Sequence, residues 1–86
     1  MKVIVKHLAG YYFVEIKGQP KIKGEAVHIM DAIGNLIWTN EEFFKDVLTA
    51  IECPVPFTFA NENPNYWVGV RVVKMQKKLG IKIYLE

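Results

Sequence analysis

Residues Lys2-Val-Ile-Val-Lys-His-Leu8 and Tyr11-Tyr-Phe-Val-Glu-Ile-Lys17 are both β-branched and apolar with charged interruptions, and only Ala9-Gly10 separates them. Two such runs joined by a two-residue break predict an antiparallel hairpin, because a connection that short cannot return the chain parallel. Gly18-Gln-Pro20 turns the chain again: glycine permits positive φ and proline presets a turn dihedral. Lys21–Met30 reads as a third strand, with Gly24 marking a bulge or bend. Asp31-Ala-Ile-Gly-Asn35 carries turn chemistry, and Leu36-Ile-Trp38 reads as a short fourth strand.

One helix is predicted. Thr39-Asn-Glu-Glu42 fits a capping box, with Trp38 and Phe43 as a hydrophobic staple around it. Phe44, Val47, Leu48 and Ile51 form an apolar stripe at helical spacing. Pro54 disfavours helix at Cys53, so the helix is expected to stop near Glu52. Beyond a long loop, Tyr66–Met75 reads as a strand, Gln76–Gly80 as a basic turn, and Ile81–Leu85 as a closing strand. The order β-β-β-β-α-β-β predicts a single α+β domain over residues 1–86: a mainly antiparallel curved sheet, or a small, partly open barrel, with one packed helix.

A chain of 86 residues buries a smaller share of its surface than a large one, and its 51% hydrophobic and 13% aromatic content suits a dense core rather than disorder. No apolar run approaches the length that spans a bilayer, and the N-terminal alternation does not resemble a leader peptide, so no membrane association is expected. Cys53 is the single cysteine, which excludes an intramolecular disulfide and a cysteine-based zinc site, and fits a reducing, cytoplasmic setting.

Catalytic groupings are weak. Cys53 with His7 or His28 can be written as a nucleophile pair, yet the C-terminal end of a helix disfavours a thiolate. His7, His28 and Asp31 match no metal-ligand spacing, and capping accounts for Glu41 and Glu42 without acid–base chemistry. Neither glycine-bearing turn has phosphate-loop spacing. A non-enzymatic protein without cofactor or metal is expected.

Two candidate binding surfaces remain. The first is the segment 53–67, rich in proline, asparagine and aromatic rings. Its prolines stiffen it, and Phe57, Phe59, Asn61, Asn63 and Tyr66 would contact a protein partner. Val55, Phe57 and Phe59 also alternate like an edge strand, and self-pairing of such an edge would give a homodimer. A small adaptor, inhibitor or accessory module is the function this favours.

The second surface follows from charge. Residues 1–30 carry five lysines against two glutamates, residues 31–62 six acids against one lysine, and residues 63–86 five cations against one glutamate. Strand alternation then allows Lys2, Lys6, Lys17, Arg71 and Lys82 to share a sheet face with Tyr11, Phe13 and Tyr84, a composition suited to single-stranded nucleic acid. Gly10, Tyr11, Phe13 and Val14 agree with four of the seven specified positions in the ring-bearing strand motif of RRM domains. Those domains interleave their strands with two helices, so an order with one helix after four strands excludes membership.

Overall fold

The computed structural model describes residues 1–53 and 64–86. Three strands come first: β1 (Lys2–Leu8), β2 (Tyr11–Ile16) and β3 (Gln19–Ala26). Four helical segments follow, α1 (Ile29–Thr39), α2 (Lys45–Ala50), α3 (Pro64–Lys74) and α4 (Gln76–Leu79), before β4 (Lys82–Leu85). The fold is α+β, as expected. Its sheet is open rather than closed into a barrel, with strand order β3-β2-β1-β4. The first three strands pair antiparallel, whereas β4 arrives through the helical crossover and pairs parallel with β1.

The first hairpin forms where the sequence predicts it. Ala9 and Gly10 both take positive φ, +51° and +82°, the requirement of a tight I′-type turn whose twist matches its strands. Alternation then sorts the side chains. Val3, Val5, Val14 and Ile16 point to one face and are almost wholly buried there.

The cover over that face differs from the expected single helix. Asp31–Asn35 and Leu36–Trp38, read as turn and strand, lie inside α1. Ala32, Ile33, Leu36 and Ile37 are its buried stripe, at helical rather than alternating spacing. Tyr66–Met75, read as a strand, belongs almost entirely to α3. Its alternating valines misled: Val68 and Val72 are one helical turn apart and fully buried, and Pro64 sits at the helix start, where a missing N–H costs nothing.

Glycines explain how these helices fit. A Cβ on Gly24 of β3 would collide with the backbone of Leu36 in α1. One on Gly34 of α1 would occupy the position of the Asn65 carbonyl, and one on Gly69 of α3 that of the Met30 carbonyl. Gly24 therefore marks a close approach of helix to sheet; the register irregularity lies at Glu15/Ile16 instead. Gly34 and Gly69 let α1 and α3 pack backbone to backbone.

The capping box is not formed. Thr39 ends α1 and donates its hydroxyl to the Asn35 carbonyl, while α2 starts at Lys45 behind Phe44 with no side-chain cap. The predicted stripe of Phe44, Val47, Leu48 and Ile51 is nonetheless buried. The expected basic turn is the short α4, closed by Gly80 in the left-handed conformation at φ +67°.

Two outcomes follow for stability. Ala9→Asn is expected to stabilise by up to about 1 kcal/mol, because asparagine tolerates positive φ where alanine is strained; urea unfolding measures it. Gly69→Ala is expected to destabilise by at least about 1–3 kcal/mol, since the Met30 carbonyl belongs to a rigid helix and cannot yield cheaply. A Gly69→Ala protein as stable as the parent would mean the two helices are not in backbone contact.

Candidate functional site

The described helices lie on the Val3/Val14 side of the sheet. Among the described residues nothing covers the other side, where the register sorts the side chains into rows. Leu8 stands opposite Tyr11 at one end of the β1–β2 pair. The next row runs Glu25, Phe13, Lys6 across β3, β2 and β1, and the one after it Lys23, Glu15, Ile4, Tyr84, reaching β4. At the far end Lys2 stands opposite Lys82, and the Lys17 N–H donates to the Lys2 carbonyl at 3.0 Å, which brings three lysines together.

The face is thus segregated. Leu8, 61% exposed, Tyr11 and Phe13 make an apolar end, with the two rings 6.3 Å apart. Lys2, Lys17 and Lys82 make a cationic end, and the Lys2 ammonium lies 5.9 Å from the centre of the Tyr84 ring. In the middle Lys6 is neutralised by Glu15 and Glu86, each at 3.6 Å. Six lysines, Lys21 and Lys23 included, stand against Glu15, Glu25 and Glu86. The described acidic residues of the middle of the chain, Asp31, Glu41, Glu42, Asp46 and Glu52, lie in α1, α2 and the turns beside them. The lysine excess consequently falls on the bare face.

Two open hollows lie along this face. One open hollow of about 480 Å³ is bordered by Lys6, Phe13, Glu15 and Lys23. Another, of about 430 Å³, shares Lys6 and Glu15 with it and extends to Lys17 and Glu86.

Of the eight residues expected in a nucleic-acid face, Lys2, Lys6, Tyr11, Phe13, Lys17, Lys82 and Tyr84 lie together on it. Arg71 does not. It projects from α3, donates from Nη2 to the Ile51 carbonyl at 3.5 Å and stacks 5.5 Å over the Trp67 ring. It lies there because Pro64–Lys74 forms a helix rather than a strand. Lys23 and Glu25 also border the face and were not singled out from sequence; the period of β3 would have included them. Of the protein-binding set, Phe57, Phe59, Asn61 and Asn63 lie outside the described residues. Tyr66 is placed in the first turn of α3, 58% exposed.

The remaining candidates have ordinary roles. His7 stacks on Tyr12 with ring centres 4.1 Å apart, and His28 is the residue before α1 rather than a strand residue. Among the described residues no group of three or more His, Cys, Asp or Glu side chains could hold a metal ion. Cys53 follows a Schellman turn at the end of α2: its N–H reaches the Leu48 carbonyl and the Glu52 N–H the Thr49 carbonyl, with Glu52 left-handed at φ +58°. Burial pushes the Cys53 thiol above its ordinary range, and Glu41 nearby adds to the shift. That is the reverse of an activated nucleophile.

The arrangement defines a small open-faced α+β domain in which no helix among the described residues is long and apolar enough to cross a membrane. No family model, curated protein or solved structure matches the chain.

Because deprotonation of Cys53 is disfavoured, its alkylation by iodoacetamide is expected to rise to half its maximum at a pH above that of a free cysteine. Glu41→Gln should move that midpoint only part of the way back, burial being the larger cause. A midpoint below that of free cysteine would contradict the assignment.

Proposed function

We propose that this domain is a non-enzymatic binding module that takes a single-stranded nucleic acid on its helix-free sheet face. The observation that carries the reading is the co-location of Lys2, Lys17 and Lys82 with Phe13, Tyr11 and Tyr84 on one surface that nothing among the described residues covers. Rings on a sheet offer stacking platforms to bases, and lysines beside them follow the phosphates. A short bare sheet lacks the projecting helix or ribbon that reads a duplex groove, so the single-stranded form fits better. Neutralisation of Lys6 leaves only a few cations to contact phosphate, so binding should be weak and sequence-tolerant. A reducing, cytoplasmic setting suits the lone Cys53 thiol.

A protein partner is the second reading. Tyr66, exposed on α3 at the border of the 53–67 segment, favours it, since tyrosine is enriched where partners dock.

Trp38 and Trp67 lie on α1 and α3, on the helical side, so the test uses a fluorescently labelled oligonucleotide and its anisotropy. Binding is expected at low salt. With about three phosphate contacts, log K should fall against log salt with a slope near −2. Lys2→Ala should flatten that slope by about 0.7, and Phe13→Ala should weaken binding about 5- to 150-fold. Failure of single-stranded DNA and RNA to bind at low salt would overturn the reading and leave the protein partner.

A further inference from the structure

The two edges of the sheet are treated differently. On the β3 edge, α1 reaches over. The Asn35 side-chain oxygen accepts from the Glu25 N–H at 3.2 Å, and the Asn40 side-chain amide donates to the Lys23 carbonyl at 3.2 Å. Lys23 and Glu25 are the residues whose peptide groups turn away from β2, because backbone groups alternate sides along a strand. Two asparagines thus occupy positions that an added strand would need.

The β4 edge has no such guard among the described residues. The Lys82 N–H donates to the Met1 carbonyl at 2.9 Å and the Glu86 N–H to the Val5 carbonyl at 2.8 Å. Lys82, Tyr84 and Glu86 therefore face β1, and the peptide groups of Ile83 and Leu85 face outward. Leu85 is 72% exposed and Ile83 partly buried against the core. An edge with outward N–H and C=O groups and an exposed leucine is a template for another strand.

We propose that β4 docks a second copy of this chain, strand against antiparallel strand, across a two-fold axis at Tyr84. The register is set by complementarity. With Tyr84 opposite Tyr84, Ile83 falls opposite Leu85 of the other copy and Lys82 opposite Glu86. Ile83 and Leu85 are the residues with outward peptide groups, so each Ile83–Leu85 pair exchanges two hydrogen bonds. The Tyr84 pair occupies the closer, non-hydrogen-bonded position, where ring contacts are strongest. Each Leu85 gains an apolar neighbour, and each Lys82, which has Lys2 beside it on β1, gains a carboxylate on its other side. Glu86 lies 3.6 Å from Lys6 and so sits between two lysines in the pair. Shifting the register by two residues in one direction would put Lys82 opposite Tyr84, and in the other Tyr84 opposite Glu86, losing the Lys82–Glu86 match. Docking also makes the bare faces continuous, with Ile4 and Tyr84 of each copy in one strip.

Sedimentation equilibrium of the protein alone, without nucleic acid, tests this independently of the proposed ligand. Average mass is expected to rise from monomer toward dimer between about 10 µM and 1 mM, the range that suits a short edge contact. Leu85→Pro removes an outward N–H and leaves the bonds to β1 intact, so it should abolish the dimer while circular dichroism stays native. Lys82→Glu should weaken association about tenfold or more by opposing Glu86, and the double variant Lys82→Glu with Glu86→Lys should restore it. A monomer throughout that range, or a dimer indifferent to Leu85→Pro and to the charge reversal, would overturn the proposal.

Discussion

The backbone contact between α1 and its neighbours governs this molecule. α1 lies against β3 at Gly24 and against α3 at Gly69, and it presents its own Gly34 to the start of α3. Side chains at these points would hold the elements apart. Without them, α1 sits low enough on the sheet for Ile33, Leu36 and Ile37 to meet Val3, Val5, Val14 and Ile16 in one cluster. Burial of each such side chain contributes roughly 1.5–3 kcal/mol, and the loss of a close approach would weaken several at once.

Because both long helices are committed to one side, the other side of the sheet stays bare among the described residues. The chain's charge follows the same division. Acidic residues of the middle segment are carried away on helices and turns, while lysines of the strands remain on the exposed face with three rings. The same seating of α1 sets Asn35 and Asn40 against the β3 edge. Helix position thus controls which face is open and which edge is closed, and the function proposed for the face depends on packing several residues removed from it.

The β-rich amino-terminal third was legible because strand alternation and tight-turn residues are local signals. Val3, Val5, Val14 and Ile16 alternate, Ala9-Gly10 leaves room for one compact turn, and Lys2, Lys6, Tyr11, Phe13 and Lys17 fall on a common face by period alone. The buried stripe of Phe44, Val47, Leu48 and Ile51 was likewise readable from spacing, even though its helix begins late and without the expected cap. Lys82 and Tyr84 joined the face because the closing strand was recognised, but its parallel place beside β1 was not contained in its pattern.

What only the tertiary structure decided was the meaning of residues with two uses. Gly34-Asn35 reads as a turn, since glycine and asparagine favour one. In the folded chain Gly34 clears the path of α3, and Asn35 binds the peptide of Glu25. Val68, Val70 and Val72 alternate like a strand, yet burial against α1 rewards the helical pairing of Val68 with Val72 and outweighs β-branched propensity. Arg71 went to the helical side for the same reason. Local sequence sets a preference worth tenths of a kcal/mol per residue; contact with a distant element is worth more, and it is invisible until the chain has closed.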